Sequence, residues 1–294
     1  MTTPWLTPDF VRKLEVLELA IRSVRAGHRL GGRFPINRRG ASIEFSDYVP
    51  YSAGDDIRAI DWNLYARLDR LYVRTYKEEI ALSVEIIVDA TRSMGLPTRE
   101  KFERAMRLAV CLGYIAVADR HHARFSWIKP GRLEASGWWS HRSDLVRMLE
   151  AGEGKEPGGQ TELSAWARRA AAGLRMRGGQ AILITDGMIR QADFFQSLHF
   201  LALRQLEPKV IQVLTPEELH PARVFRSGTL IDSETGHVRE LAYGSAELER
   251  AVTEHNEALA RFCKRHGVAF ARHRLDEPLE TFVTKTLPAC GLLS

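Results

Sequence analysis

The chain has 294 residues, a formal net charge of +5, 45% hydrophobic and 27% charged side chains, a composition that suits a globular protein with a real core and excludes a collagenous or low-complexity chain. No apolar run reaches the roughly 18–20 residues of a membrane helix, and "MTTPWLTPDF" lacks the basic-then-apolar order of a signal peptide, so a cytoplasmic protein with no membrane span is expected. Cys111, Cys263 and Cys290 are odd in number and far apart, without CxxC or Cys/His metal spacing, and read as reduced bystanders.

In chain order, Phe10, Leu14, Leu17, Ile21 and Val24 fall on one face of a helix expected over 8–25. An Arg-rich segment follows, residues 22–39, with no acid in it. No nucleic-acid motif accompanies it, so a solvated loop is expected and nucleic acid is not. Extended pieces around "IEFSDYVPY" and "RLYVRTYKEE" enclose the turn-rich "SAGDDIRAIDW". Residues 1–80 thus read as a helix-plus-strand extension.

From residue 81 to 294 strands and helices alternate. "LSVEIIVD", "ARFSWI", "QAILIT", "KVIQVL" and "VAFARHR" are short strands. Between them lie helical stretches, the longest "REKFERAMRLAVCLGYIAVADR", then one near 140–149, "TELSAWARRAAAGL", "DFFQSLHFLALRQL" and 246–265, with a terminal helix after the last strand. This pattern predicts an α/β fold, a doubly wound, mostly parallel, Rossmann-like sheet covered on both faces. Residues 228–242 read as an inserted hairpin turning at Glu234, Thr235 and Gly236.

In such a sheet, ligands sit beyond the carboxyl ends of the strands. Three loops there carry oxygen donors: Asp89, Thr91 and Ser93 after "EIIVD", Thr161 in "PGGQTEL" at a helix start, and Asp186 after "AILIT". Such a hard, oxygen-only set suits Mg²⁺ or Mn²⁺, and so few anions leave the ion electrophilic.

"DATRS" with Thr161 and Asp186 resembles the metal-ion-dependent adhesion site of von Willebrand factor A domains, written DxSxS with a distant Thr and a distant Asp. Thr91 departs from that pattern, keeping the hydroxyl and adding a methyl; Arg92 lies inside the motif, where folding inward would set it against the cation. A second resemblance is carried by "DYVPYSAGDDIRAIDWNLYARLDRLYVRTYKEE", residues 47–79, and "DSETGHVREL", residues 232–241, both similar to the family called domain of unknown function 58 (DUF58). What the resemblances imply is a von Willebrand A-type domain working as a non-enzymatic, metal-dependent protein-binding module. Thr91, Ser93 and Thr161 would ligate the ion directly or through water, Asp89 and Asp186 would orient waters, and a partner's Asp or Glu would complete the shell. The family resemblance further implies an adaptor or co-chaperone of a MoxR-type AAA+ ATPase in maturation or assembly of other proteins.

Residues 55–67 have two readings. Asp55, Asp56 and Asp61 could pair with Arg58 and Arg67 in a turn capped by Trp62, or Asp55, Arg58, Trp62 and Arg67 could form a docking surface for a metal-free scaffold. A Mg²⁺-dependent phosphoesterase is the enzyme reading. It lacks support: the DxDxT pattern of aspartate-nucleophile phosphatases has no second aspartate here, and no GxxxxGK, HExxH or GxSxG is present. His121 and His122 read as surface or satisfied core histidines.

Overall fold

In a computed structural model, residues 4–20, 43–78, 81–129, 132–158, 179–224, 228–231, 238–241 and 245–294 are described. In chain order the elements are α1 (Pro8–Leu14), β1 (Ile43–Pro50), α2 (Trp62–Leu68), β2 (Tyr72–Glu78), β3 (Ser83–Asp89), α3 (Glu100–Ala118), β4 (His122–Lys129), β5 (Arg132–Ala135) and α4 (Leu145–Gly152). Then come β6 (Gly179–Thr185), α5 (Gln191–Leu203), β7 (Leu206–Leu214), α6 (Pro216–Leu219), β8 (Gly228–Ile231), β9 (Val238–Leu241), α7 (Ser245–Arg265), β10 (Ala269–Arg274) and a helical stretch over 279–289. The helix expected at "TELSAWARRAAAGL", with Thr161, lies outside the described residues, as do the Arg-rich residues 22–39 and the hairpin turn at 234–236.

The chain divides into two compact units, residues 1–22 with 82–294, and residues 23–81. The first twenty residues therefore go with the large unit, where a single extension over 1–80 was expected. Their helix is also shorter than the predicted 8–25. α1 ends at Leu14, and beyond it the chain pairs with its own C-terminal end: Leu19 bridges Leu293, Glu18 and Ser294 exchange backbone hydrogen bonds, and Ala20 N–H donates to Leu292 O. These non-local bonds replace the helical ones, and apolar periodicity cannot foresee them. A two-turn helix would not persist alone, but Thr7 Oγ1 caps Phe10 N–H at 3.2 Å, and Phe10 and Leu14 are buried in the core of the large unit. Each such burial is worth about 1.5–3 kcal/mol, enough to hold it.

The main sheet has the order β10-β7-β6-β3-β4-β5. All its pairs are parallel except β4 with β5, an antiparallel edge too short to read from sequence. Chain order runs outward from β3 in one direction through β4 and β5, and in the other through β6, β7 and β10. That is the doubly wound arrangement expected of a von Willebrand A-type fold, with its switch point between β3 and β6. Alternation along the strands feeds two cores: Ile86 and Val88 face the side of α3, whereas Ile87 and Leu183 join Phe194 and Leu198 of α5 and Leu259 of α7. In α3 every residue from Leu108 to Val117 is buried, so that half of the helix meets protein on all sides, while Glu100 and Glu103 near its start are exposed.

Other local expectations are met. β8 and β9 pair antiparallel from Gly228 with Leu241 to Ile231 with Val238. His121 is buried, its Nδ1 accepting Leu82 N–H at 3.4 Å and its Nε2 lying 3.3 Å from Asp119 Oδ2. Cys111 and Cys263 are buried free thiols.

Within residues 23–81, β1 and β2 form an antiparallel ladder. The short helix α2 went unpredicted, although Asp61 marks it: its Oδ1 accepts Asn63 N–H at 3.0 Å and Leu64 N–H at 3.1 Å, an N-cap.

Candidate functional site

Asp89 closes β3 and Asp186 follows β6, so the two carboxylates stand at the carboxyl ends of adjacent strands, beside the switch point. Both are fully buried. Asp89 Oδ1 accepts Thr91 N–H at 3.0 Å, and its Oδ2 accepts the Thr185 hydroxyl at 2.7 Å. Burial, then repulsion from Asp186, pushes the Asp89 carboxyl up to about 6 against these stabilising bonds.

Thr91 Oγ1 and Ser93 Oγ lie 3.2 Å apart, and between them Arg92 turns to solvent rather than toward the carboxylates. Thr91 and Ser93 thus share one side of the loop, as their two-residue spacing predicts. Asp89 does not cap α3, whose N-terminus at Arg99 has no side-chain cap. Both Asp89 oxygens are instead taken up within the loops, by Thr91 N–H and the Thr185 hydroxyl.

Asp186 is engaged on both oxygens: Oδ1 accepts Met188 N–H at 3.0 Å, and Oδ2 accepts from Lys101 Nζ at 2.9 Å. Lys101, in the first turn of α3, is wholly buried and also pairs with Glu218 of α6. Burial alone would lower its ammonium, yet Asp186 and Glu218 outweigh that and hold it above its ordinary value. Burial raises Glu218, and the attraction of Lys101 only partly offsets the effect. Sequence reasoning missed Lys101, Thr185 and Glu218. Thr185 had a signal, a hydroxyl at the end of a buried strand directly before Asp186. Lys101 had none, since a lysine in a first turn reads as solvated.

The Asp186 loop is held from behind. Gln212 Nε2 donates to Asp186 O at 3.0 Å and to Asn256 Oδ1 at 2.7 Å, Arg272 Nε donates to Gln212 Oε1 at 2.8 Å, and His255 Nε2 donates to Gly187 O at 2.7 Å. Gly187 has φ +74°, and a Cβ there would lie 2.8 Å from Leu259 Cδ1 and 3.0 Å from Gln212 Nε2. Gly187→Ala is therefore expected to destabilise the chain by about 1–3 kcal/mol, read as a lowered urea midpoint; an unchanged midpoint would show that the loop yields freely.

Two of the expected donors, the Thr91 and Ser93 hydroxyls, stand at a spacing that a small hard cation accepts. Neighbouring ligands of an octahedral Mg²⁺ stand about 3 Å apart for bonds of about 2.1 Å, close to the spacing of the two hydroxyls. Among the described residues no group of three or more His, Cys, Asp or Glu could hold a metal.

The second candidate surface is described by itself. Asp61 does not pair with Arg58 or Arg67: its Oδ2 accepts from Tyr48 O–H and Arg74 Nε, both at 2.9 Å. Burial opposes its charge, but the bonds from Tyr48, Leu64 N–H and Arg74 hold the carboxyl below its usual value. Asp55 Oδ2 accepts Ser52 N–H at 2.9 Å, and Asp56 Oδ1 accepts Arg58 N–H at 2.9 Å. Arg58 and Arg67 are exposed. Trp62, expected to cap the turn, is 62% exposed with Tyr65 edge-on at 6.2 Å.

The chain is 26% identical over 278 residues to the uncharacterized protein Rv1480 of Mycobacterium tuberculosis (strain H37Rv), covering 92% of this chain and 86% of that one. The uncharacterized protein Mb1516 of Mycobacterium bovis matches equally. Similar solved structures include the conserved hypothetical protein BatB from Bacteroides thetaiotaomicron (16% identity, 71% of this chain, 98% of that chain, TM-score 0.42). Another is the manganese-loaded TRAP protein of Plasmodium vivax (13% identity, 73% of this chain, 74% of that chain, TM-score 0.37). Likenesses of this size transfer no function. Residues 47–261 match the family described as Protein of unknown function DUF58, and the chain belongs to that family.

Proposed function

We propose that the chain is a non-enzymatic protein-interaction module whose contact with its partner is completed by Mg²⁺ or Mn²⁺. The carrying observation is the pair of buried carboxylates, Asp89 and Asp186, at the switch point beside the 3.2 Å hydroxyl pair of Thr91 and Ser93. Those four residues and Thr161 would hold the ion, the hydroxyls directly or through water and the carboxylates by orienting waters. The ion would supply an open coordination position for an Asp or Glu of the partner. The chain's own part is to fix the donors: Thr185 and the Thr91 N–H orient Asp89, while Gln212 and His255 fix the loop of Asp186.

The partner proposed, from family resemblance, is a MoxR-type AAA+ ATPase acting in maturation or assembly of other proteins in the cytoplasm. Among the described residues no helix is long and apolar enough to cross a membrane. The test is calorimetric titration with Mg²⁺ and Mn²⁺, then capture of the cognate ATPase with and without EDTA. Saturable ion binding and EDTA-sensitive capture are expected; capture indifferent to EDTA would defeat the metal bridge.

The exposure of Trp62 favours a second reading, in which a metal-free scaffold engages its partner through Asp55, Arg58, Trp62 and Arg67. Ile57 at 64% and Leu68 at 54% exposure add apolar area there. On this reading Trp62→Ala weakens capture at least about thirtyfold, the cost of a central aromatic anchor of about 2 kcal/mol or more, with or without EDTA. Capture unchanged by Trp62→Ala would dismiss it.

A further inference from the structure

Lysine is seldom fully buried unless paired, and the first turn of a helix is the end where the macrodipole repels a cation. Lys101 occupies such a place with no exposure, bracketed by Asp186 and Glu218. One ammonium neutralises one carboxylate, so with Asp89 ionised the cluster of Asp89, Asp186, Glu218 and Lys101 holds three negative charges against one positive, a balance a divalent cation would cancel.

We propose that Lys101 is the resident counter-ion of this site: its ammonium competes with a divalent cation for Asp186 and shifts onto Glu218 when the cation binds. The inference rests on the ion-binding reading above. Glu218 is placed to receive the ammonium. Its Oε1 already bonds Nζ, while its Oε2 is fixed by Thr215 N–H at 2.9 Å in a reciprocal cap with Thr215 Oγ1. A cation approaching Asp186 repels Nζ toward that second acceptor. Lys101 acts through Asp186 and is a positioning residue, setting how tightly the ion is held and how much of the Asp186 charge reaches it.

Two substitutions should move ion affinity in opposite directions. Lys101→Met frees Asp186 and tightens Mn²⁺ and Mg²⁺ binding by about tenfold or more; Glu218→Gln leaves Lys101 with Asp186 alone and weakens it by about tenfold. Glu217→Gln, which removes a neighbouring exposed charge that does not touch Lys101, should change affinity by less than about threefold. Calorimetric titration of the full chain with MnCl₂ and MgCl₂ reads all three against wild type, with circular dichroism to confirm folding. Equal affinity in wild type, Lys101→Met and Glu218→Gln would overturn the role of Lys101 and leave the ion site standing. No binding by any of them would remove the ion site and the inference with it, whereas binding by Lys101→Met alone would support competition. If Lys101→Met does not fold, Glu218→Gln decides, and unchanged affinity in it overturns the proposal.

Discussion

Asp89→Asn is expected to abolish calorimetrically detectable Mg²⁺ and Mn²⁺ binding while the chain melts at the wild-type temperature or above it. Asparagine matches aspartate in shape. Its carbonyl oxygen can accept Thr91 N–H in place of Oδ1, and its amide can donate to Thr185 Oγ1, reversing the bond now made to Oδ2. What disappears is a buried negative charge facing Asp186. Burial and repulsion from Asp186 make that charge unfavourable at neutral pH, so removing it can offset any looser hydrogen bond. Ligand and stability thus pull against each other at one position, as at many binding sites. Undiminished ion binding in Asp89→Asn would take Asp89 out of the ligand set. A melting temperature lowered by more than about 5 °C would instead make the carboxylate a structural member of the loop.

Acidification is expected to strip about 3–5 kcal/mol from the large unit between pH 6.5 and 3, and His273 is the cause. Its side chain is wholly buried on β10, with its ring 4.3 Å from that of Phe282. Arg104 Nη1 of α3 donates to Nε2 at 3.1 Å; Glu277 Oε2 lies 3.7 Å from Nδ1. Burial first, then the Arg104 charge, lowers the imidazole from 6.5 to about 3, with Asp276 opposing weakly. Between those values the unfolded chain binds a proton that the folded chain refuses. The contribution is therefore complete above about pH 6.5 and lost progressively as pH falls toward 3. Urea unfolding at pH 7, 5 and 4 measures it. His273→Gln, which keeps an acceptor for Arg104, should show a shallower decline, and parallel declines would assign the acid sensitivity to carboxylates of the same unit held below their usual range, such as Asp144.

How far the sequence reached depended on whether a feature was local. β3 and β6 were legible because apolar runs such as "IIV" and "AILI" suit strands covered on both faces, and the long helix before "HHARFSWI" because its apolar positions recur at helical spacing. The hydroxyls of Thr91 and Ser93 were legible for the same reason, two residues apart on one loop. Lys101 was not, because its burial depends on carboxylates 85 and 117 residues away in the chain. Nor was the end of α1 at Leu14, decided by a backbone partner at Leu293. The salt partner of Asp61 was misread through proximity: Arg58 and Arg67 are nearer in sequence, but strand pairing brings Arg74 opposite Tyr48, and both reach the same carboxylate.

The all-round burial of the far half of α3 bears on the thermodynamics of the loop before it. Residues 90–99 are strung between a strand in the middle of a six-stranded sheet and a helix whose far half, Leu108 to Val117, is enclosed by protein, so the loop runs between two well-anchored elements. Conformational entropy that a free loop would surrender on gathering ligands has already been lost during folding. If the proposed ion binds there, the Thr91 and Ser93 hydroxyls are already in place, and its affinity would be set mainly by dehydration and charge. Lengthening the loop with glycines would weaken binding without touching a single donor.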